Sequence, residues 1–447
     1  MDILLPASLM LIVLVAFMAM ALRLCRPADR ITIAAWMLVG FFATLVKIWL
    51  FSQAPQIGMG YPDSIVYQLH GLALSQHWSG VSVDASAFLL GGLEAKGIGT
   101  WENDVLSYAA VFGSREWLYP GYIAVWYWMM GDSPALMVYS LRAIAAVLPA
   151  AAFGIALLLG ASRRVAFVAG GIALLDPSIG AVAASMLKDT LASSLMMLTI
   201  WAALAFIVDK RREALVWLCF ALGALTAVRF VAYVAIGAGL GVVLIFNLWQ
   251  KQLKRGGSIL LVLALSTIIQ IALDQAPTGI SLAQWYNSMA SPYQGQVGTF
   301  SRQPGEVGAD EAVLRWKEEL KRNPTLAIVK SVPHSLFAPY PWLAIWPGLT
   351  WRKINELYYP GMVLWIMCLP GILYSLIGIR KQKDRLPWVF VATVLLFLLV
   401  IYTTFFGEWS TRQRVFALPV FFALAAIGWD RIALKLRGSP PPPKPDE

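Results

Sequence analysis

Residues 162–213 read SRRVAFVAGGIALLDPSIGAVAASMLKDTLASSLMMLTIWAALAFIVDKRRE. Two apolar runs, 164–183 and 190–208, stand between basic turns, and Lys188-Asp189 separates them. About 20 apolar residues in a helix rise about 30 Å, enough to cross the hydrocarbon core of a bilayer. A pair of spans that begins and ends in basic residues returns to its starting side. Arginine and lysine in short loops stay in the cytoplasm, so Lys188 and Asp189 are expected at the opposite, outer face.

The alternation repeats in both directions. It predicts about eleven spans: 3–22, 31–51, 137–160, 164–183, 190–208, 214–229, 230–249, 257–274, 357–379, 386–406 and 413–430. Nineteen of the 35 Lys and Arg fall in six segments that total 44 positions, at 23–30, 162–164, 209–213, 251–255, 380–385 and 431–447. All six lie on one side under this count. The net charge of +10 is therefore a topology signal and not a nucleic-acid surface. Charged residues make up 13% of the chain, against about 25% in soluble domains, which excludes an ordinary soluble enzyme. The first run, 3–22, follows Asp2 and precedes Arg23, Arg26 and Arg30. That order is the reverse of a signal peptide, so the run is expected to remain as a span with its amino end outside.

The expected fold is thus an all-α polytopic membrane domain over 1–430, followed by a cytoplasmic Pro-rich tail, 431–447, that is expected to be disordered. Two long connections, about 53–136 and 275–356, fall outside. Leu118–Met130 is apolar but too short to span, and its tyrosines and tryptophans, with Trp117, suit a helix lying in the outer interface. In the second loop Asp310–Arg322 reads as an amphipathic helix. Ser335–Trp351, broken by Pro339, Pro341 and Pro347, does not read as a regular helix. Cys25 lies in a cytoplasmic segment and Cys219 and Cys368 in spans, as small apolar residues that form no disulfide. His70, His77 and His334 are too scattered to argue a metal site, and no nucleotide motif follows a strand.

Four places carry candidate chemistry. Asp63, in Gly-Tyr-Pro-Asp-Ser soon after the second span, can act as a general base near the membrane surface; as a bland alternative it caps the next helix. Lys188-Asp189 borders the membrane interior, where ionisable groups are costly; the alternative is a helix cap with a snorkelling lysine. Arg229 parts two spans at the outer face, and Arg412 and Arg414 precede the last span there, against the charge bias. Each can fork onto a phosphate or serve as a solvated connector.

These elements, in this order, resemble the GT-C superfamily of membrane glycosyltransferases, which includes protein O-mannosyltransferases and the aminoarabinose transferases of lipid A. The series is an acid early in the first outer loop (Asp63), a Tyr-Pro-x-x-aromatic helix ending in Gly (Tyr119–Gly131) and a span with an early arginine (Arg142). It continues with a basic turn and a span reaching Asp176-Pro177-Ser178, a basic-acidic pair (Lys188-Asp189), and an arginine-rich outer segment with proline in the last span (Arg412, Arg414, Pro419). The family often pairs its first-loop acid; here Pro62 and Ser64 flank a single one, and one extra span precedes the usual first.

The resemblance implies transfer of a sugar from a polyprenyl-phosphate carrier to a lipid, glycan or protein acceptor on the outer face of the cell membrane. Asp63 would be the base. Asp189 would orient the acceptor or share a divalent metal with Asp63. Lys188, Arg229, Arg412 and Arg414 would bind the lipid phosphate, and no nucleotide or nucleic acid is needed. A polysaccharide polymerase or ligase of the O-antigen kind would depend more on the arginines. A lipid or solute transporter would place ionisable groups mid-span, and most spans here have none.

Overall fold

The computed structural model describes residues 4–52, 62–80, 118–131, 134–184, 187–274, 318–337, 354–382, 384–406, 409 and 411–437. Much of both long connections, including Trp117, most of 310–322 and all of 338–351, lies outside the described residues, as does the tail from 438.

The described residues form helices and contain no strand. They are α1 (Leu4–Leu24), α2 (Arg30–Ser52), α3 (Pro62–Trp78), α4 (Leu118–Met130), α5 (Pro134–Ala145), α6 (Val147–Leu158), α7 (Arg163–Leu175) and α8 (Pro177–Ala184). There follow α9 (Asp189–Asp209), α10 (Glu213–Thr226), α11 (Phe230–Trp249), α12 (Leu253–Asp274), α13 (Pro324–Phe337), α14 (Ile354–Ile377), α15 (Leu386–Phe406), α16 (Thr411–Arg414) and α17 (Leu418–Leu436). Helical segments fall within the eleven expected spans, with 137–160 divided between α5 and α6, but not all eleven qualify as crossings. Among the described residues seven helices are long and apolar enough to cross a membrane, and eight if one bent pair counts as a single span. The protein is therefore a multi-pass helical membrane protein.

The bent pair is α7 and α8, which meet at 51° where one straight span was expected. Pro177 removes a backbone donor, so the α7 ladder cannot run on through it. Asp176 adopts an extended backbone and its Oδ1 accepts from the Ile179 amide at 2.8 Å, which starts α8 afresh. At the other end of the chain the last span begins later than 413. Four residues of α16 and a 3-10 turn precede α17, and Pro419 occupies the first turn of α17, where its missing N–H costs nothing.

The centre is α6, α9 and α17. Residues 189–206 of α9 are all buried. Small residues make this possible: a Cβ at Gly154 would collide with the Trp201 ring, and one at Gly428 would collide with the Gly371 carbonyl where α14 crosses α17. Outer helices expose Ile12, Phe42, Phe220, Ile245, Met367 and Leu396, as a lipid-facing surface requires.

Basic turns far apart in sequence meet at one end. Arg26 pairs with Asp209 at 2.9 Å, Arg211 donates to the Cys25 carbonyl, and Arg163 donates to Thr32 at 2.9 Å. The ends of α3, α4, α9, α11, α13 and α16 that carry the candidate site lie at the opposite pole of the antiparallel bundle. Helix α4 has 13 residues, about 20 Å, too short to span. Val125 and Trp128 are exposed, while Tyr119, Trp126 and Tyr127 turn inward against α3 and the bundle. Helix α13 was not anticipated; its Pro333 is accommodated within the helix.

Candidate functional site

The site is built where α9 starts. Lys188 has helical backbone angles and makes no side-chain cap, so its ammonium is not spent on capping α9. Thr190 Oγ1 donates to the Val182 carbonyl at 3.1 Å and Ser193 Oγ to the Asp189 carbonyl at 2.6 Å, which fixes the turn between α8 and α9. Asp189 is fully buried in the first turn of α9, where the helix dipole favours a negative charge. Its Oδ1 lies 3.5 Å from Nη1 of Arg229.

Arg229 comes from the connector between α10 and α11. Its side chain turns inward and is 14% exposed, so it does not snorkel. The guanidinium forks: Nη1 faces Asp189, while Nε and Nη2 donate to Tyr402 Oη at 3.4 and 3.1 Å. Its carbon lies 5.5 Å from the Phe416 ring centroid. Tyr402 is itself fully buried and stacks on Trp409, with centroids 6.0 Å apart and planes within 2°. The carbonyl of Ala227 accepts from the Leu118 amide at 3.3 Å, so α4 is tied to the connector that presents Arg229.

Lys188 is buried, with Nζ 5.7 Å from the centroid of the Tyr67 ring. Tyr67 on α3 meets Tyr119 on α4 edge to face at 5.1 Å. Position 63 is the second residue of α3, one helical turn before Tyr67, which brings the start of that helix to the same pole. The Asp63 side chain lies outside the described residues, as does that of Arg412.

Arg414, expected as a phosphate ligand, is held by the protein's own carbonyls. It is buried; Nη1 donates to the carbonyls of Ser335 and Leu336 at 3.0 Å each, and Nη2 lies 3.2 Å from Met362 Sδ. Its guanidinium sits 5.0 Å from the Trp365 ring centroid, and Trp365 Nε1 donates to the same Leu336 carbonyl at 2.7 Å. Arg414 and Trp365 thus pin the carboxyl end of α13 to the bundle, where a cation suits the helix dipole.

Three buried donors around this cluster have no hydrogen-bond partner among the described residues: Tyr119 Oη, Gln68 Nε2 and Trp409 Nε1. Buried polar atoms are rarely left so, and each is a group that could meet a polar ligand. Burial pushes the Tyr119 phenol well above its ordinary range, with Tyr122, Asp189 and Tyr127 adding to the shift, so it remains a donor. Among the described residues no three His, Cys, Asp or Glu side chains come together.

The chain matches no family model and no curated protein. Its fold aligns with a solved structure. That structure is ArnT from Cupriavidus metallidurans bound to undecaprenyl phosphate, at 14% identity and a TM-score of 0.39, over 90% of this chain and 79% of ArnT. At that level of likeness the site must be read from this chain's own residues.

The expected residues Lys188, Asp189 and Arg229 come together, and α3, which carries Asp63, packs beside them. Tyr402 and Trp409 carry no signal in sequence. Tyr402 is one residue of an apolar span, and only the fold places it under Arg229.

Proposed function

We propose that this protein is a GT-C-like glycosyltransferase of the cell membrane, moving a sugar from a polyprenyl-phosphate carrier to an acceptor on the outer face. The observation that carries this reading is the Asp189–Arg229–Tyr402 unit. It is a buried charge pair at the pole opposite the basic turns, with Lys188 beside it and unpartnered donors around it. A charged pair is costly to bury for stability alone, and this one stands where a lipid-linked donor would bring its phosphate to the end of the apolar bundle.

The chemistry then follows from the residue types. The acceptor hydroxyl attacks the anomeric carbon and Asp63 takes its proton. The bond from that carbon to the phosphate oxygen breaks, and the lipid phosphate leaves with the bonding electrons. Lys188, Arg229 and Arg412 offset the charge gathering on that phosphate. Asp189 holds Arg229 in place and orients the acceptor. Arg414, whose donors are engaged with α13, positions the second outer segment and is not a direct phosphate ligand.

The test is a thermal-protection screen of the detergent-purified chain against polyprenyl-phosphate sugars. One donor is expected to raise the melting temperature in a concentration-dependent way, by an amount set by the ratio of ligand concentration to Kd. Protection by none of the polyprenyl-phosphate sugars, with transport of lipid or solute in reconstituted vesicles, would overturn the reading.

A further inference from the structure

The basic pole carries a feature that sugar transfer does not use. Where the turn between α9 and α10 meets the turn between α11 and α12, Lys210, Lys251, Lys254 and Arg255 line an open basin of about 580 Å³ with Gln252 and Leu253. No acidic side chain lines it. Asp209, next to Lys210, is drawn away to Arg26 at 2.9 Å and Arg211 at 3.7 Å. Glu213, in the first turn of α10, is exposed and outside the basin.

The positive-inside tendency explains why these turns are basic. It does not explain why two turns separated by two helices bring four cations around one hollow. Lys210 and Lys251 both have left-handed backbones, with φ of 57° and 58°, the two positive-φ non-glycine residues among those described. Glycine or asparagine adopts that conformation more readily than lysine, so both positions keep the charged side chain against backbone preference. Leu253 in the lining is exposed, as are Leu248 and Trp249 at the end of α11, just before Lys251 in the chain. Exposed apolar and aromatic side chains next to a group of cations suit a lipid, whose phosphate calls for the cations and whose acyl chains call for the apolar groups.

We infer that this basin binds the phosphate of an anionic phospholipid headgroup. The group recognised is a phosphate, so a free phosphate compound is the competing source. The experiment uses the full-length chain in detergent, titrated with short-chain phosphatidylglycerol, short-chain phosphatidylcholine and inorganic pyrophosphate. The wild type binds phosphatidylglycerol well above phosphatidylcholine. A K210N/K251N variant, in which asparagine tolerates the left-handed backbone, binds it about 25-fold more weakly, roughly fivefold per charge removed. K254Q, on the exposed surface of α12, loses about fivefold and keeps the inference testable if the double variant fails to fold. K435Q, exposed at the same pole but outside the basin, leaves binding unchanged. Displacement of phosphatidylglycerol by pyrophosphate supports the phosphate as the recognised group. Four results would each overturn the inference: equal binding of the two lipids, wild-type affinity in both basin variants, an equal loss in K435Q, or pyrophosphate bound where phosphatidylglycerol is not.

Discussion

Replacing both members of the Asp189–Arg229 pair separates a structural ion pair from a working one. At 3.5 Å two unit charges attract by about 5 kcal/mol at an effective dielectric near 20. Desolvation offsets much of that gain, and the net effect shows when one partner is removed. Arg229→Gln leaves the fully buried Asp189 without its guanidinium and breaks the bonds to Tyr402; the expected cost is about 3–5 kcal/mol. Asp189→Asn keeps the shape and leaves Arg229 on Tyr402 and Phe416, for a loss of about 1–3 kcal/mol. The double variant, neutral at both positions, should melt above Arg229→Gln alone, because neither member of the pair keeps its buried charge without the other. Turnover is expected to behave differently. Each single variant and the double should transfer sugar at least about 100-fold more slowly, since the transition-state charge loses its partners in all three. Melting in detergent and initial rates under saturating donor measure the two effects separately. Recovery of turnover together with stability in the double variant would refute the catalytic role and leave the pair as a structural brace. A double variant no more stable than Arg229→Gln would refute the pairing itself.

Asp63→Asn preserves a capping oxygen at the start of α3 but cannot take a proton at neutral pH; turnover should fall about 10²- to 10⁴-fold with melting near wild type, and a donor-saturated assay checks it. Arg414→Ala removes two carbonyl contacts and the Trp365 stacking; the expected loss is about 2–4 kcal/mol of stability, with faster proteolysis after residue 337 as the sign that α13 has come loose. Single cysteines at Ser79 and Gln382 report the orientation: an impermeant thiol reagent added outside should label the first and spare the second, and the opposite pattern would move the site to the cytoplasm.

Much of the architecture was legible before any fold was known, and for a local reason. Hydropathy acts on about 20 consecutive residues and the charge bias on the short turns between them. Runs such as 190–208, and turns such as 209–213, therefore announce helices and their polarity directly. The break at Asp176-Pro177 was present in the residues too, yet hydropathy averages across it, and a bend of 51° depends on how Asp176 recaps the chain. Helix α13 was not among the expected helices; it contains Pro333, and its last residues, 335–337, fall in the stretch expected to be irregular.

The site divides the same way. That Lys188, Asp189, Arg229 and Arg414 are unusual could be read from sequence, since charges beside apolar runs are costly wherever they occur. What each one does was decided by tertiary structure. Asp189 and Arg229 are separated by the whole of α9 and α10 in the chain, and Arg229 and Tyr402 are 173 residues apart. No local rule links such positions; antiparallel packing of α9, α10, α11 and α15 brings their ends to one pole. Arg412 and Arg414, two residues apart, looked alike in sequence. The carbonyls of Ser335 and Leu336 claim Arg414, because a guanidinium buried in an apolar bundle must find acceptors wherever the fold supplies them.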